Sequence, residues 1–189
     1  MAESFTSQAA GALKLDEHFG DSWAAIEPLA LPFFNGQHVA VSFEGGATPS
    51  QHFMQAADGA LLNFLSLSAA DRLAATDAVF ANYQQVLAWA GQQLALNEPS
   101  DVWRYLTPQH LHIIEESDEA QRDIYLLIEA ECEWEVEHGL QLVFRQGRML
   151  TRVSQYDGHL TESQAEDIPE DKDDLMMQYY AKFGRSSIH

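Results

Sequence analysis

Along Ile128–Glu137 apolar residues hold every even position and glutamates every odd one. Ile128, Ala130, Cys132, Trp134 and Val136 thus alternate with Glu129, Glu131, Glu133, Glu135 and Glu137. Side chains on a strand alternate between faces with a period of two, so the run predicts a half-buried strand with one apolar and one acidic face. A helix would scatter the same glutamates around its surface. A new β-like run, Leu140–Phe144, follows Glu137-His138-Gly139. A three-residue loop ending in Gly139 sets Val136 opposite Leu140, Trp134 opposite Leu142 and Cys132 opposite Phe144; a two-residue turn would set glutamates against leucines. Glycine in the last loop position supplies positive φ without steric cost. A two-residue turn at Gln146-Gly147 then pairs Phe144 with Met149 and Leu142 with Thr151, and places Arg145, Arg148 and Arg152 as neutralisers of the glutamate row.

Elsewhere the pattern is read in chain order. Residues 1–22 are small and polar and are read as a tail or arm. Trp23–Phe34 and Gln37–Glu44 flank Asn35-Gly36, a strong hairpin signal, and Pro28 and Pro32 mark the first of these strands as an edge. Thr48-Pro49-Ser50-Gln51 reads as a helix start, with Phe53, Ala57 and Leu61 inward. Ser68-Ala69-Ala70-Asp71 is a second capping box, followed by Leu73, Thr76, Phe80, Tyr83 and Leu87 at helical spacing and by Gly91 as a stop. Leu111–Glu115 reads as a strand, and Asp118–Gln121 as the turn into the alternating one. After Gly158 the chain is acid-rich, and 169–183 predicts an amphipathic helix with Leu175, Met176, Tyr179 and Phe183 on one side.

Composition sharpens the picture. The 189 residues carry 10 Lys+Arg against 29 Asp+Glu, a net charge of −19, and they suffice for one domain with a sizeable core. Such a surface repels phosphate backbones and anionic lipid, so no nucleic acid and no membrane is expected as partner, whereas a basic or cationic protein is. The single cysteine, Cys132, has no internal disulfide partner, which suits a cytoplasmic protein, and its apolar-face position predicts an inert thiol with a raised pKa. Residues 1–20 lack a secretory pattern, and no stretch reaches the ~18–20 apolar residues that cross a bilayer.

Candidate chemistry is sparse. Glu135, Glu137, His138 and Asp157 are the candidate binding residues, lining one end of the sheet; a turn built from the same residues is the simpler account. His110-Leu111-His112 with Glu116 is similar to a cupin-type metal spacing, but the flanking glycines of that motif are missing. Neighbours on one strand face stand roughly 7 Å apart, so a glutamate row alone does not make a compact metal site. No catalytic residue, no metal and no cofactor is assigned, and the pattern leans against an enzyme.

The segment Cys132-Glu133-Trp134-Glu135-Val136-Glu137-His138-Gly139-Leu140 resembles the hallmark of a family of uncharacterised bacterial domains, Cys/Thr-x-Trp-Asp/Glu-x-Glu-His-Gly-Leu. The Phe-Phe-Asn-Gly hairpin, the helical pair, Pro99–Trp103 with Leu106-Thr107-Pro108, and Val153–Asp157 sit where that family has similar pieces. The resemblance spans 23–157 and implies a fold and a bacterial origin; it implies no activity.

The expected architecture is α+β: an antiparallel sheet of five to six strands with two helices on its apolar face, a single domain over 23–157, and an acidic, partly helical extension over 158–189. The expected role is a non-enzymatic acidic protein-binding module, of immunity or accessory type. The alternatives are a metal-binding protein or metal-dependent enzyme using His110, His112 and Glu116 or the Glu135–His138 cluster, and a dimeric structural protein.

Overall fold

A computed structural model describes residues 5–16, 20–89, 92–117 and 122–188. The expected Asp118–Gln121 turn and the Gly91 helix stop lie outside these residues. The class is α+β, but the described residues form nine strands rather than five to six. They are β1 (Phe5–Ser7), β2 (Gly11–Leu15), β3 (Trp23–Ala25), β4 (Leu29–Leu31), β5 (Gln37–Glu44), β6 (Leu106–Ser117), β7 (Arg122–Cys132), β8 (Glu135–Arg145) and β9 (Met149–Ser154). The sheet runs β1-β2-β3-β5-β6-β7-β8-β9, with β4 paired to the start of β5. Residues 1–22, read as an arm from their polarity, thus supply two strands at the sheet's edge.

Strands β5 and β6 are parallel, and the other pairs are antiparallel. A parallel pair needs a long crossover. Here it contains α1 (Gln51–Leu65), α2 (Ala69–Ala74) and α3 (Thr76–Leu87), and a 3-10 turn over Pro99–Tyr105 leads into β6. The cap of α1 is Ser50, whose Oγ accepts from the Phe53 N–H at 3.0 Å, and not Thr48. The Ser68–Asp71 capping box is present, but the second helix breaks at Ala75 into α2 and α3.

One face of the sheet carries Val41, Phe43, Leu111, Ile113, Leu126, Ile128, Leu142 and Phe144, packed against Phe53, Ala57, Leu61 and Phe64 of α1 and Val79 and Tyr83 of α3. Phe33, in the 3-10 turn of the β4–β5 hairpin, lies 5.0–5.8 Å by ring centroids from Phe34, Phe64, Trp103 and Phe144. The hairpin is therefore pinned by its own turn. Asn35 and Gly36 both have positive φ, as the sequence requires of them.

The other face is covered only in part. Tyr125, Leu127 and Val143 pack on Leu160, and Met149 packs on Met176 of α5 (Asp174–Phe183), beside Tyr179 and Tyr180. The first half of β7 is therefore buried on both sides, which explains why Ile124–Ile128 is continuously apolar while the glutamate alternation starts only at Glu129. Two short turns of helix, α4 (Glu162–Glu166) and Glu170–Lys172, lie on the way to α5. Among the described residues no helix is long and apolar enough to cross a membrane.

Both expected turns differ from the structure. Residues Gln146, Gly147 and Arg148 form the β8–β9 loop, which pairs Arg145 with Met149 and Phe144 with Leu150, not Phe144 with Met149. The extra residue moves Arg148 off the sheet, where it donates to Asn63 Oδ1 at 2.7 Å. The other two arginines do not neutralise the glutamate row either. Arg145 donates to Asp123 Oδ2 at 2.5 Å, and Arg152 pairs with Asp157 and Glu162. Both guanidinium groups are buried and each takes the carboxylates within its reach, since an unpaired charge there is costly.

Gly147 holds this loop against α1. Its φ is +68°, and a Cβ there would stand 2.0 Å from the Ala60 carbonyl oxygen. Gly147→Ala is therefore expected to destabilise the protein by roughly 2 kcal/mol through strain and forced displacement of α1. Urea unfolding measures this, and a loss below half that value would show that the contact relaxes freely.

Candidate functional site

The β7–β8 hairpin reverses at Glu133-Trp134, one turn earlier than the sequence suggested. The alternation continues through the reversal because the Trp134 ring still rolls into the core, where Nε1 donates to Asn82 Oδ1 at 3.0 Å and the ring meets Tyr83 edge-on. The Glu133 N–H donates to the Tyr105 carbonyl, which ties the turn to the 3-10 segment before β6. Leu140 then pairs with Ala130, Leu142 with Ile128 and Phe144 with Leu126, so the expected pairings of Val136, Trp134 and Cys132 are replaced.

With the turn moved, residues Val136–Gly139 bow outwards between the Cys132–Glu135 and Ala130–Leu140 pairs. Gly139 closes the bulge at φ +67°, where a Cβ would meet the Ala130 carbonyl oxygen at 2.7 Å. Glu135 organises it: its Oε1 accepts the N–H groups of Glu137 at 3.0 Å and His138 at 3.2 Å, with His138 Nδ1 at 3.6 Å. Val136 is left 85% exposed at the tip.

Under this bulge lies a cleft of about 690 Å³ whose walls include Glu129, Glu131, Glu133, Glu135, Glu137 and His138. Val136 and Tyr156, both exposed, contribute the apolar surface, whereas Ala130, Cys132 and Leu140 border the cleft but are buried in the core; Tyr105, Thr107, Gln109 and Arg104 also line it. Arg104 is already paired with Asp101 at 2.9 Å. The Cys132 thiol, pushed up to about 11 by burial, donates to the Glu135 carbonyl at 3.5 Å and is no nucleophile at neutral pH.

The structure brings Glu135, Glu137 and His138 together in this cleft. Asp157 stands apart, held by Arg152, by Gln141 Nε2 at 2.9 Å and by the His159 N–H at 3.0 Å. Burial works against the Asp157 carboxylate, but these donors keep it below its ordinary range.

A second cluster adjoins the cleft through Glu129. On the partly open face, His112 of β6 places Nδ1 2.7 Å from Glu44 Oε1 and Nε2 3.0 Å from Glu129 Oε1. Burial alone would hold the His112 ring down, but the hydrogen bonds to Glu129 and Glu44 outweigh it and push the imidazole up to about 9. The hydrogen bond from His112 in turn lowers Glu129. His110 stacks on His112 at 4.2 Å, with Nε2 2.6 Å from Ser42 Oγ. Burial, and then the charge on His112, lower the His110 ring.

His110 and His112 do share a strand face, as their spacing predicts, but Glu116 does not join them. It accepts from Gln164 Nε2 at 2.5 Å near the other end of β6. Among the described residues no group of three or more His, Cys, Asp or Glu side chains is arranged to hold a metal ion. The sequence gives no reason to single out Glu44 or Tyr156, and it marks Glu129 only as one member of the glutamate row. The alternation Ser42-Phe43-Glu44 beside His110-Leu111-His112 was the available signal, but nothing local says that these two runs are neighbours.

No curated protein matches the chain, and no solved structure matches it. Residues 10–160 match the profile of DUF6985, a domain of unknown function. This is most of the chain and takes in the hairpin, the cleft and the histidine cluster; the chain belongs to the DUF6985 family.

Proposed function

We propose that this chain is a non-enzymatic, acidic protein-binding module of a bacterial cytoplasm, and that the β7–β8 cleft receives a cationic segment of its partner. The observation that carries this reading is the cleft itself, where five glutamates stand with the exposed Val136 and Tyr156 and the lining arginine is paired with Asp101. Lysine and arginine side chains match such a site, with an apolar stem for the exposed Val136 and Tyr156 and a charged head for the glutamates. The net charge of −19 would steer a basic partner towards the surface and make association sensitive to salt. An immunity-type protein facing a basic toxin is one role of this kind.

Calorimetric titration of the full chain with a short alternating arginine–leucine peptide tests the reading. Binding at low salt that weakens about tenfold or more at high salt is expected, with no binding of a glutamate–leucine peptide. Equal binding of both peptides, or of neither, would overturn it.

A further inference from the structure

The Glu129 carboxylate faces two ways: it forms part of the cleft wall, and it receives His112 Nε2 at 3.0 Å. The other ring nitrogen of His112 reaches Glu44 at 2.7 Å. A neutral imidazole has only one N–H to donate, whereas two carboxylates require two donors, so the ring between them is an imidazolium. It sits on β6 between Glu44 of β5 and Glu129 of β7, beneath the stacked His110 ring and 3.3 Å from Ser42 Oγ. The charge of Asp16 acts on His110, and Tyr156 stands beside Glu129 on the cleft side.

Building on the cleft reading, we propose that a cationic group entering the cleft takes Glu129 away from His112, so that partner binding releases a proton from His112 and tightens as pH rises. The incoming cation competes for the carboxylate and adds a like charge near the imidazolium. Both effects disfavour the charged ring. Glu44 stays in place, so the ring retains one of its two carboxylate partners. By reciprocity, a ligand that lowers the affinity of His112 for its proton binds more tightly once that proton has gone. A fall of one pKa unit on binding corresponds to about tenfold tighter binding across the titration.

Ring-proton NMR of the ligand-free full chain would follow His112 directly. Calorimetry with the arginine–leucine peptide, in two buffers of different ionisation enthalpy near pH 8.5, would count protons released by the natural chain and by His112→Gln. Arginine is used because it keeps its charge throughout this range. A ring titrating well above its ordinary value, with proton release that His112→Gln abolishes, is the expected result. Binding without proton release, release that persists in His112→Gln, or a ring titrating near 6.5 would overturn the linkage and leave the cleft reading standing. Failure of the peptide to bind at any pH would overturn both.

Discussion

Trp134→Ala is expected to cost roughly 3–5 kcal/mol of stability. The ring is 2% exposed and fills the space between the turn, Tyr83 and Asn82. Its loss leaves a cavity under the turn and an unpaired Asn82 oxygen in the core, and an orphaned buried acceptor alone costs about 1–3 kcal/mol. For a chain of this length each kcal/mol corresponds to about 2–4 °C, so a fall in Tm on the order of 10 °C follows. Trp134→Phe separates the two contributions, because it keeps most of the packing and loses only the Asn82 hydrogen bond. Because Trp134 fixes where the chain reverses, the alanine variant should also lose the bulge that shapes the cleft. A change below about 1 kcal/mol would show that the turn is held by its backbone alone.

The second large effect depends on pH. His112 is raised in the folded state to about 9 from an ordinary value of 6.5. A group whose folded pKa is raised contributes stability that is fully present below the unfolded pKa and is lost as pH rises through the folded one. The Glu44–His112–Glu129 bridge therefore stabilises the protein fully below about pH 6.5, and this contribution disappears between pH 7 and 10. The shift corresponds to roughly 3 kcal/mol, so the natural chain should lose several degrees of Tm over that window beyond whatever His112→Gln loses. Parallel curves for the two proteins would contradict the bridge.

Local features were legible where a pattern and a structural demand coincide. The glutamate alternation, the Asn35-Gly36 turn, the Ser68–Asp71 box and the apolar stripe around Met176 all reflect neighbours along the chain. The strands β1 to β4 were not resolved as separate elements, because three to five residues carry too little pattern and their stability comes from pairing. The hairpin turn was misplaced because Trp134 continues the apolar alternation through the reversal, and Gly139 serves a bulge rather than the turn. Glu135, Glu137 and His138 were found together because a single backbone bulge gathers them. The Glu44–His112–Glu129 bridge joins residues 68 and 17 positions apart and depends on the parallel β5–β6 pairing, which no local pattern announces.

The central claim is that the cleft, and not the overall negative charge, recognises a cationic partner. The most direct measurement compares arginine–leucine peptide affinity in two variants of equal net charge. One is Glu131→Gln/Glu133→Gln/Glu137→Gln in the cleft, and the other is Glu27→Gln/Glu166→Gln/Asp171→Asn at exposed sites elsewhere. The account predicts at least about tenfold weaker binding for the cleft variant and less than threefold for the control, in line with roughly 0.5 kcal/mol per rim charge. Equal weakening in both would contradict it, and the peptide would then be reading the field of the whole molecule.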